Sequence, residues 1–183
     1  MKKYIAIDSS TNSLAFASFA GETLLKFGIL KFSGNGIYDK IPDIASKTGA
    51  LFAGIDAEHI VIESTFFALN PKVTTDLALA QGAILGAASG QGVKYIAGVP
   101  PMNWQRYIGN GPLTKAEKAD IVSESPGKSA SWYKAQPRKI RKQRTLDIIN
   151  KEYGINVTDD NVGDACGIGL YANKNWEKLK WQG

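Results

Sequence analysis

The sequence predicts an α/β protein in which a mixed five-stranded sheet is flanked by helices. Short apolar runs separated by turn residues dominate the first third of the chain, and helical spacing of apolar residues alternates with short strands after that. The first three strands are joined by connections short enough for an antiparallel meander. The later strands follow helical segments long enough to cross over the sheet, so the two patterns together indicate a mixed sheet.

The first half of the chain is expected to supply four strands and two helices. The first strand ends in the turn-rich sequence Ser9-Ser10-Thr11-Asn12, and Gly21-Glu22 is a short connection between the next two strands. Asn35-Gly36 precedes the first helical segment, and the second helical segment is rich in small residues. The predicted strands are residues 3–9, 13–20, 23–33 and 58–63, and the predicted helices are residues 37–55 and 72–90.

The second half is expected to contain one more strand and four helices. Thr114 and Glu117 have the spacing of a capping box, which predicts the start of a helix after the loop Gly109-Asn110-Gly111-Pro112. Residues 123–131 contain Pro126-Gly127 and four serines and are the most linker-like stretch. The remaining predictions are a strand at residues 93–98, a short helix at 104–108, and helices near 137–152 and 160–173.

Size and composition describe an ordinary globular protein, predicted to be a single domain over residues 1–183. Hydrophobic residues make up 44% of the chain and charged residues 21%, and a chain of this length buries roughly 70% of its unfolded surface on folding. No run approaches the ~20 apolar residues of a membrane span, and Asp8 interrupts the first apolar run too soon for a signal peptide. The lone Cys166 cannot form an internal disulfide, which indicates a reducing compartment such as the cytoplasm.

Acidic and amide residues far apart in the chain are predicted to form a metal site. Asp8 and Glu63 each end an apolar strand run, so their carboxylates are expected at the rim of the sheet. Asp164 follows Asn161 by three residues and Asp160 by four, which places these side chains on one face of the last long helix. Hard oxygen ligands of this kind suit Mg²⁺, or Mn²⁺ in its place. Paired ions of this type can promote in-line cleavage of a phosphodiester, with Asp8, Glu63, Asp160 and Asp164 as the catalytic candidates.

Positive charge is concentrated in one segment of a chain whose formal net charge is +5. Between residues 128 and 151 only Asp147 is acidic, and Trp132 and Tyr133 lie among the basic side chains. Cations beside aromatic rings suit contacts with phosphates and stacking on bases, although a solvated basic helix would have the same composition. The basic residues of this segment are Lys128, Lys134, Arg138, Lys139, Arg141, Lys142, Arg144 and Lys151, and Lys115 and Lys118 precede it.

Five segments between residue 4 and about residue 172 carry motifs in a recognisable order. They are Ile5-Ala6-Ile7-Asp8 with its polar turn, Val61-Ile62-Glu63-Ser64-Thr65-Phe66, Leu79-Ala80-Gln81-Gly82-Ala83, Gly109-Asn110-Gly111 with Lys115, and Asp164-Ala165-Cys166-Gly167-Ile168-Gly169. Each motif alone is weak evidence, but their order and spacing are specific. Together they resemble the motifs of the RuvC family of Holliday junction resolvases, which have a ribonuclease H-like fold.

The resemblance implies a fold, an activity and a role for each motif. The fold would be ribonuclease H-like, and the activity would be nicking of symmetric strands in four-way DNA, leaving 5′-phosphate ends. Asp8 would bridge two ions, Glu63 would hold the ion that activates water, and Asp164 would hold the other. No small-molecule cofactor is implied.

The resemblance also implies two kinds of partner surface. Phe66 would stack on a base near the crossover, unless its ring packs in the core, and the basic residues from Lys115 to Arg144 would bind DNA. The small-residue helix over residues 77–88 would contribute to a homodimer, with one active site for each strand that is cut. Packing of that helix within one chain explains its composition equally well.

Two features depart from the usual pattern of the family. The position three residues before the last Asp is usually acidic or a His, and here it is Asn161. Either Asn161 coordinates through its amide oxygen or Asp160 reaches in, since charge favours Asp160 and register favours Asn161. The basic insertion around residues 123–145 resembles the phage-encoded branch of the family, where it would grip DNA arms. A phage-encoded protein of this kind would act in the cytoplasm of the bacterial host.

Three alternative functions share part of this pattern. Residues 5–13 also resemble the first phosphate-binding strand of sugar kinases and actin-like ATPases, but those proteins need a second lobe that 183 residues cannot supply. A non-catalytic DNA-binding protein on the same scaffold would not need Asp8, Glu63 and Asp164 at their matching positions. A related nuclease that acts on RNA or flap DNA would keep the same residues, so a cleavage assay is needed to distinguish it.

Overall fold

A computed structural model of the protein describes residues 1–64 and 70–183. The strands of these residues are β1 (Lys3–Ser9), β2 (Ser13–Ala20), β3 (Thr23–Lys31), β4 (His59–Glu63) and β5 (Tyr95–Val99). They form one sheet in the order β3-β2-β1-β4-β5. β1, β2 and β3 pair antiparallel, whereas β1 with β4 and β4 with β5 pair parallel. The predicted mixed five-stranded sheet is therefore confirmed.

Helices cover both faces of this sheet. They are α1 (Ile37–Ala53), α2 (Pro71–Ser89), α3 (Pro101–Tyr107), α4 (Lys115–Glu124), α5 (Ala130–Tyr153) and α6 (Asp160–Lys174), and a 3₁₀ turn follows at Trp176–Lys178. α1 and α2 pack together on one face, while α6 packs on the other face with α5 against it. No helix of the described residues is long and apolar enough to span a membrane.

β1 shows why the strands in the middle of the sheet are apolar throughout. Tyr4 and Ala6 belong to the core beneath α6, and Ile5 and Ile7 belong to the core beneath α1 and α2, because successive side chains of a strand point to opposite faces. All four side chains are fully buried. Parallel strands with both faces covered have continuous apolar runs, so the polar residue that ends such a run marks the place where the strand leaves the core.

Two helix starts follow the capping rules. The hydroxyl of Thr114 accepts a hydrogen bond from the backbone N–H of Glu117 at 3.2 Å, and the Glu117 carboxylate accepts from the backbone N–H of Thr114 at 2.6 Å. The predicted capping box is therefore confirmed. At the start of α6, the Asp159 side chain accepts hydrogen bonds from the N–H groups of Asn161 and Val162, so Asp159 stabilises the helix end.

The start of α5 corrects a prediction. α5 begins at Ala130 and is 24 residues long, rather than beginning near residue 137. The Ser129 hydroxyl accepts a hydrogen bond from the Trp132 N–H at 3.2 Å and caps the true start. Pro137, a residue typical of a first helical turn, lies inside the helix instead. The basic segment is thus one continuous helix.

The C-terminal segment covers the outer edge of β5. Gln182 forms an antiparallel bridge with Ile96, in which each backbone N–H donates to the other carbonyl at 2.9 Å. Trp181 packs edge-on against His59, with ring centroids 4.9 Å apart, and Trp176 packs against both. This cluster lies at the end of the sheet where β4 begins.

Candidate active site

Parallel pairing brings two of the predicted ligands to the same edge of the sheet. β1 and β4 are aligned so that Ile7 lies beside Ile62, and the next residues along the two strands are Asp8 and Glu63. α6 packs against both β1 and β2 and carries Asp164 to the same place. An open cleft of about 590 Å³ results, lined by Asp8, Ser10, Glu63, Gln105, Asn110, Lys134, Pro137, Arg138, Arg141, Lys142, Thr145, Asn161 and Asp164.

Burial raises the pKa of the three carboxyl groups in this cleft. The pKa of Asp8 is raised to about 6, and those of Glu63 and Asp164 to about 7, in each case mainly by loss of solvent. The charges of Asp8 and Glu63 raise the pKa of Asp164 further, while Lys142 and Arg141 lower it. Acidic groups that are buried together and shift one another's pKa are typical of functional sites.

The donor chemistry of the cleft fits a hard divalent cation. Three partly desolvated carboxylates supply the oxygen ligands and the negative charge that Mg²⁺ prefers. Within residues 1–64 and 70–183, no three Asp, Glu, His or Cys side chains are already gathered closely enough to hold a metal ion. Mutual repulsion of the carboxylates opposes such gathering, so a bound cation would draw Asp8, Glu63 and Asp164 together.

These raised pKa values predict how the stability of the metal-free protein depends on pH. An acid whose pKa is higher in the folded than in the unfolded chain destabilises the fold as pH rises between the two values, because the unfolded chain releases its proton first. For Asp164 the window runs from about pH 4 to about pH 7. Asp164→Asn removes this contribution. We expect its melting temperature in EDTA to exceed that of the wild type at about pH 8 and to converge with it at about pH 4.

A matched control is Asp120→Asn, the same chemical change on the exposed surface of α4. Thermal melts of the three proteins across the pH range, all with EDTA, make the comparison. If the melting temperatures of the wild type and Asp164→Asn changed with pH in the same way, Asp164 would not have a raised pKa.

The two candidates for a fourth ligand have different surroundings. Asn161 lines the cleft beside Asp164. Asp160 forms an ion pair with Lys142 of α5 and is not among the residues that line the cleft. The structure therefore brings Asp8, Glu63, Asn161 and Asp164 together, and it turns Asp160 towards a lysine. Which of the two binds a cation stays a prediction.

One face of α5 forms the basic wall of the cleft. Residues separated by three or four positions share a helix face, and the cleft-lining cations of α5 have this spacing. They are Lys134, Arg138, Arg141 and Lys142. The other predicted DNA-binding cations lie elsewhere. Lys115, Lys118 and Lys139 are exposed outside the cleft, and Arg144 is paired with Glu117 of α4.

Similarity to known proteins agrees with this geometry. A scan against models of protein families finds no match. The crossover junction endodeoxyribonuclease RuvC of Aliarcobacter butzleri is 26% identical over 124 residues, which cover 66% of this chain and 80% of that protein. The enzyme of the same name from Campylobacter concisus is 29% identical over 86 residues, covering 45% of this chain and 55% of that protein.

Solved structures of RuvC proteins share the whole fold. T. thermophilus RuvC in complex with a Holliday junction substrate matches with a TM-score of 0.72 at 16% identity over 100% of both chains. A second T. thermophilus RuvC structure matches with a TM-score of 0.69 at 17% identity over 98% of this chain and 99% of that one. The chain is similar in sequence to these curated RuvC proteins and shares the RuvC fold. The ribonuclease H-like fold expected from the motifs is confirmed, whereas the phage-encoded branch stays a prediction.

A third resolvase structure matches this chain less closely. The yeast mitochondrial Holliday junction resolvase Ydc2 matches with a TM-score of 0.50 at 16% identity, over 97% of this chain and 80% of that one. The RuvC-like fold thus accounts for nearly the full length of the chain.

The Gly-Asn-Gly motif has a structural role that the motif alone did not indicate. The Asn110 side chain is 2% exposed, and its Nδ2 donates to the carbonyl of Arg141 at 2.6 Å and to Thr145 Oγ1 at 2.8 Å. The Arg141 guanidinium in turn donates to Gln105 Oε1. Asn110 Oδ1 and Arg141 Nε are buried without a hydrogen-bond partner in the described residues. This network fixes Arg141 at the wall of the cleft.

Two further contacts to Glu63 were not predicted from the sequence. Trp104 Nε1 donates to Glu63 Oε2 at 2.7 Å. Gln81 Nε2 donates to Ser9 Oγ at 3.1 Å and to the Glu63 carbonyl at 3.3 Å. These residues are separated from Glu63 by 41 and 18 positions, so no local pattern could have indicated them. Gln81 belongs to the RuvC-like Ala-Gln-Gly motif, which was the one signal available.

Phe66, predicted to stack on a base, lies outside the described residues, as does its neighbour Phe67. The stacking of Phe66 on a base therefore stays a prediction. Glu63 and Ser64, immediately before, are described. The strand end that leads towards Phe66 is thus at the edge of the cleft.

Proposed function

We propose that the protein is a Holliday junction resolvase, a divalent-metal-dependent endonuclease that nicks symmetric strands of four-way DNA and leaves 5′-phosphate ends. One observation carries this proposal. Carboxylates at the ends of β1 and β4 and on α6 share a cleft whose opposite wall is a basic helix. Such a cleft suits the negatively charged backbone of DNA. The scissile phosphate would lie between the acidic metal ligands and the cationic side chains. The curated RuvC relatives carry the matching enzyme name.

The acidic wall would hold the metal. Asp8, Glu63 and Asp164, with Asn161 or Asp160, would bind Mg²⁺, or Mn²⁺ in its place, as two ions in each active site. Bound Mg²⁺ supplies Lewis-acid polarisation of the phosphate and lowers the pKa of a water molecule. The half-buried position of these carboxylates strengthens their attraction for cations, because solvent screens the charges less than at an open surface.

The basic wall would hold the DNA strand. The Arg141 guanidinium donates to Gln105 Oε1 and to the Asn110 carbonyl, so it is placed in advance for a phosphate. Arg138 and Lys134 lie one and two turns earlier on the same face of α5. We assign them to phosphates beyond the scissile one. The insertion around residues 123–145, within a single nuclease domain, would extend this grip along the DNA arms.

A homodimer would match the two-fold symmetry of a four-way junction. Gly82 and Gly86 lie on a face of α2 where an added Cβ would meet nothing within 4 Å. This face is therefore not needed for packing within one described chain, and it leaves room for a second helix. Each protomer would then cut one of the two equivalent strands. We place this activity in the cytoplasm of a bacterial cell, where the lone buried Cys166 would stay reduced.

Cleavage of defined DNA structures tests the proposal. Labelled four-way, three-way, flap and linear DNA would each be incubated with the protein and Mg²⁺ or Mn²⁺, with EDTA as the control. We expect paired symmetric nicks in the four-way DNA that a ligase can reseal, and no cutting of linear DNA. Preferred cutting of flap DNA or RNA would instead indicate a differently targeted nuclease, and tight junction binding without cutting would indicate a non-catalytic protein.

A further inference from the structure

Trp104 lies under the acidic wall of the cleft, where the resolvase motifs assign it no role. It belongs to α3 and its side chain is 0% exposed. Its indole Nε1 donates to Glu63 Oε2 at 2.7 Å. A tryptophan buried in a core normally finds a partner for its N–H, but here the partner is a carboxylate that faces a proposed metal site.

The ring is held in place by a glycine on the helix that carries Asp164. A Cβ added at Gly167 would lie 2.8 Å from Trp104 Cζ3 and 3.1 Å from Cε3. Real Cβ atoms essentially never make contacts shorter than 3.0 Å, so a side chain at position 167 would force the indole or α6 to shift. Gly167 is three residues after Asp164 and on the same helix face. Trp104 therefore contacts one acidic ligand directly and packs beside the helix of another.

The chemistry of an indole suits the positioning of a metal ligand. An indole N–H donates one hydrogen bond, accepts none and carries no charge. A lysine or arginine in this place would also orient Glu63, but its positive charge would compete with a cation. The hydrogen bond from Trp104 favours the ionised form of Glu63 against the effect of burial. Trp104 engages only Oε2 of Glu63 and places no positive charge beside it.

We propose that Trp104 is a positioning residue that holds the Glu63 carboxylate in the orientation needed to bind the catalytic cation, with Gly167 as the residue that makes room for it. The proposal rests on the proposed function, because it concerns a ligand of the same metal site. Trp104 would act through Glu63 and would not contact DNA. Loss of its N–H should therefore impair cation binding and the cleavage step, and it should leave junction binding unchanged.

The first test examines the hydrogen bond without metal or DNA. The chain has four tryptophans, so a ¹H–¹⁵N spectrum with EDTA should contain four indole N–H signals. Trp104→Phe identifies the signal of Trp104. If this N–H donates to a carboxylate, its resonance should lie downfield, exchange slowly with D₂O and move in Glu63→Gln. A Trp104 signal that Glu63→Gln leaves in place would overturn the proposal, and sequential assignment allows this result even if Trp104→Phe does not fold.

The second test measures function in Trp104→Phe, with Trp176→Phe as the matched control. Trp176 is a partly buried tryptophan, and it packs in the C-terminal cluster at the opposite end of β4. For Trp104→Phe we expect weaker Mn²⁺ binding in the absence of DNA. The single-turnover cleavage rate at saturating protein should fall by about 10- to 100-fold, the size expected for one hydrogen bond to a charged group. Trp176→Phe should change neither quantity.

A glycine variant separates positioning from the loss of the ring. Gly167→Ala keeps the indole but forces it to move, and it should lower Mn²⁺ affinity and the cleavage rate in the same way. Its control is Gly49→Ala, inside α1, where the added Cβ meets nothing within 4 Å. If Trp104→Phe had the Mn²⁺ affinity and the cleavage rate of the wild type, the proposal would be overturned. Failure of the wild type to cut any DNA would instead count against the resolvase assignment, while the indole spectrum would still decide the Trp104–Glu63 bond.

Discussion

Asp8→Asn, Glu63→Gln and Asp164→Asn are each expected to abolish cleavage of four-way DNA while leaving junction binding intact or stronger. Each change replaces a carboxylate that would bind a cation with an amide of the same shape, so several kcal/mol of transition-state stabilisation should be lost, a decrease in rate of about 1,000-fold or more. Binding should not weaken, because a negative charge has been removed from a surface that faces phosphates. Single-turnover cleavage and gel-shift titration, both on the same junction, measure the two effects.

The same assay separates the two candidates for the fourth ligand. Asp160→Asn and Asn161→Ala would be compared with the three variants above and with the wild type. The cleft position of Asn161 and the pairing of Asp160 with Lys142 lead us to expect the larger loss of cleavage from Asn161→Ala. A near wild-type rate in any carboxylate variant would remove that residue from the ligand set.

Neutralising the basic wall of the cleft is expected to weaken junction binding severely and to flatten its salt dependence. Each phosphate contact that is lost lowers the slope of log K against log salt concentration by about 0.9, so four lost contacts should lower it by about 3 to 4. At low salt we expect a loss of affinity of about 100-fold or more. The variant replaces Lys134, Arg138, Arg141 and Lys142 with Gln.

A control variant with the same loss of charge tests whether position on the helix matters. It replaces four exposed lysines of α4, α5 and the connection between them that do not line the cleft: Lys115, Lys118, Lys128 and Lys139. If DNA lies in the cleft, the slope should change much less in the control than in the cleft variant. Equal slopes for the two variants would mean that the DNA-binding surface extends over both helices, as the sequence alone suggested.

The sheet could be predicted from the sequence because its determinants are local. Apolar runs that end in Asp8 and Glu63 identify buried strands, and the residues that cap helices at Thr114 and Asp159 are visible in sequence. The start of α5 could not be predicted in the same way. A serine cap at Ser129 competes there with a proline at 137. The structure contains the earlier start, where Ser129 caps the helix and the Tyr133 hydroxyl donates to the Ser125 carbonyl.

The candidate site could be predicted only where a single residue carries the chemistry. Carboxylates at strand ends indicate a metal site, but the hydrogen bond between Trp104 and Glu63 depends on how α3 packs against α6. The ion pair of Lys142 with Asp160 likewise depends on the approach of α5 to α6. The basic residues of α5 look equivalent in sequence, but in the structure some line the cleft and others face solvent. Which residues line the cleft depends on how α5 packs on the rest of the protein, and the sequence does not specify that.

The bridge between Gln182 and Ile96 has a consequence for handling the protein. β5 is the last strand of the sheet, and an uncovered edge strand offers its free N–H and C=O groups to strands of other molecules. The short C-terminal segment acts as a cover for that edge, held by Trp181 on His59. A chain shortened before Trp181 would keep every residue of the cleft, yet it would expose the unpaired backbone groups of β5. Loss of solubility in such a variant would then reflect self-association at β5 and not damage to the active site.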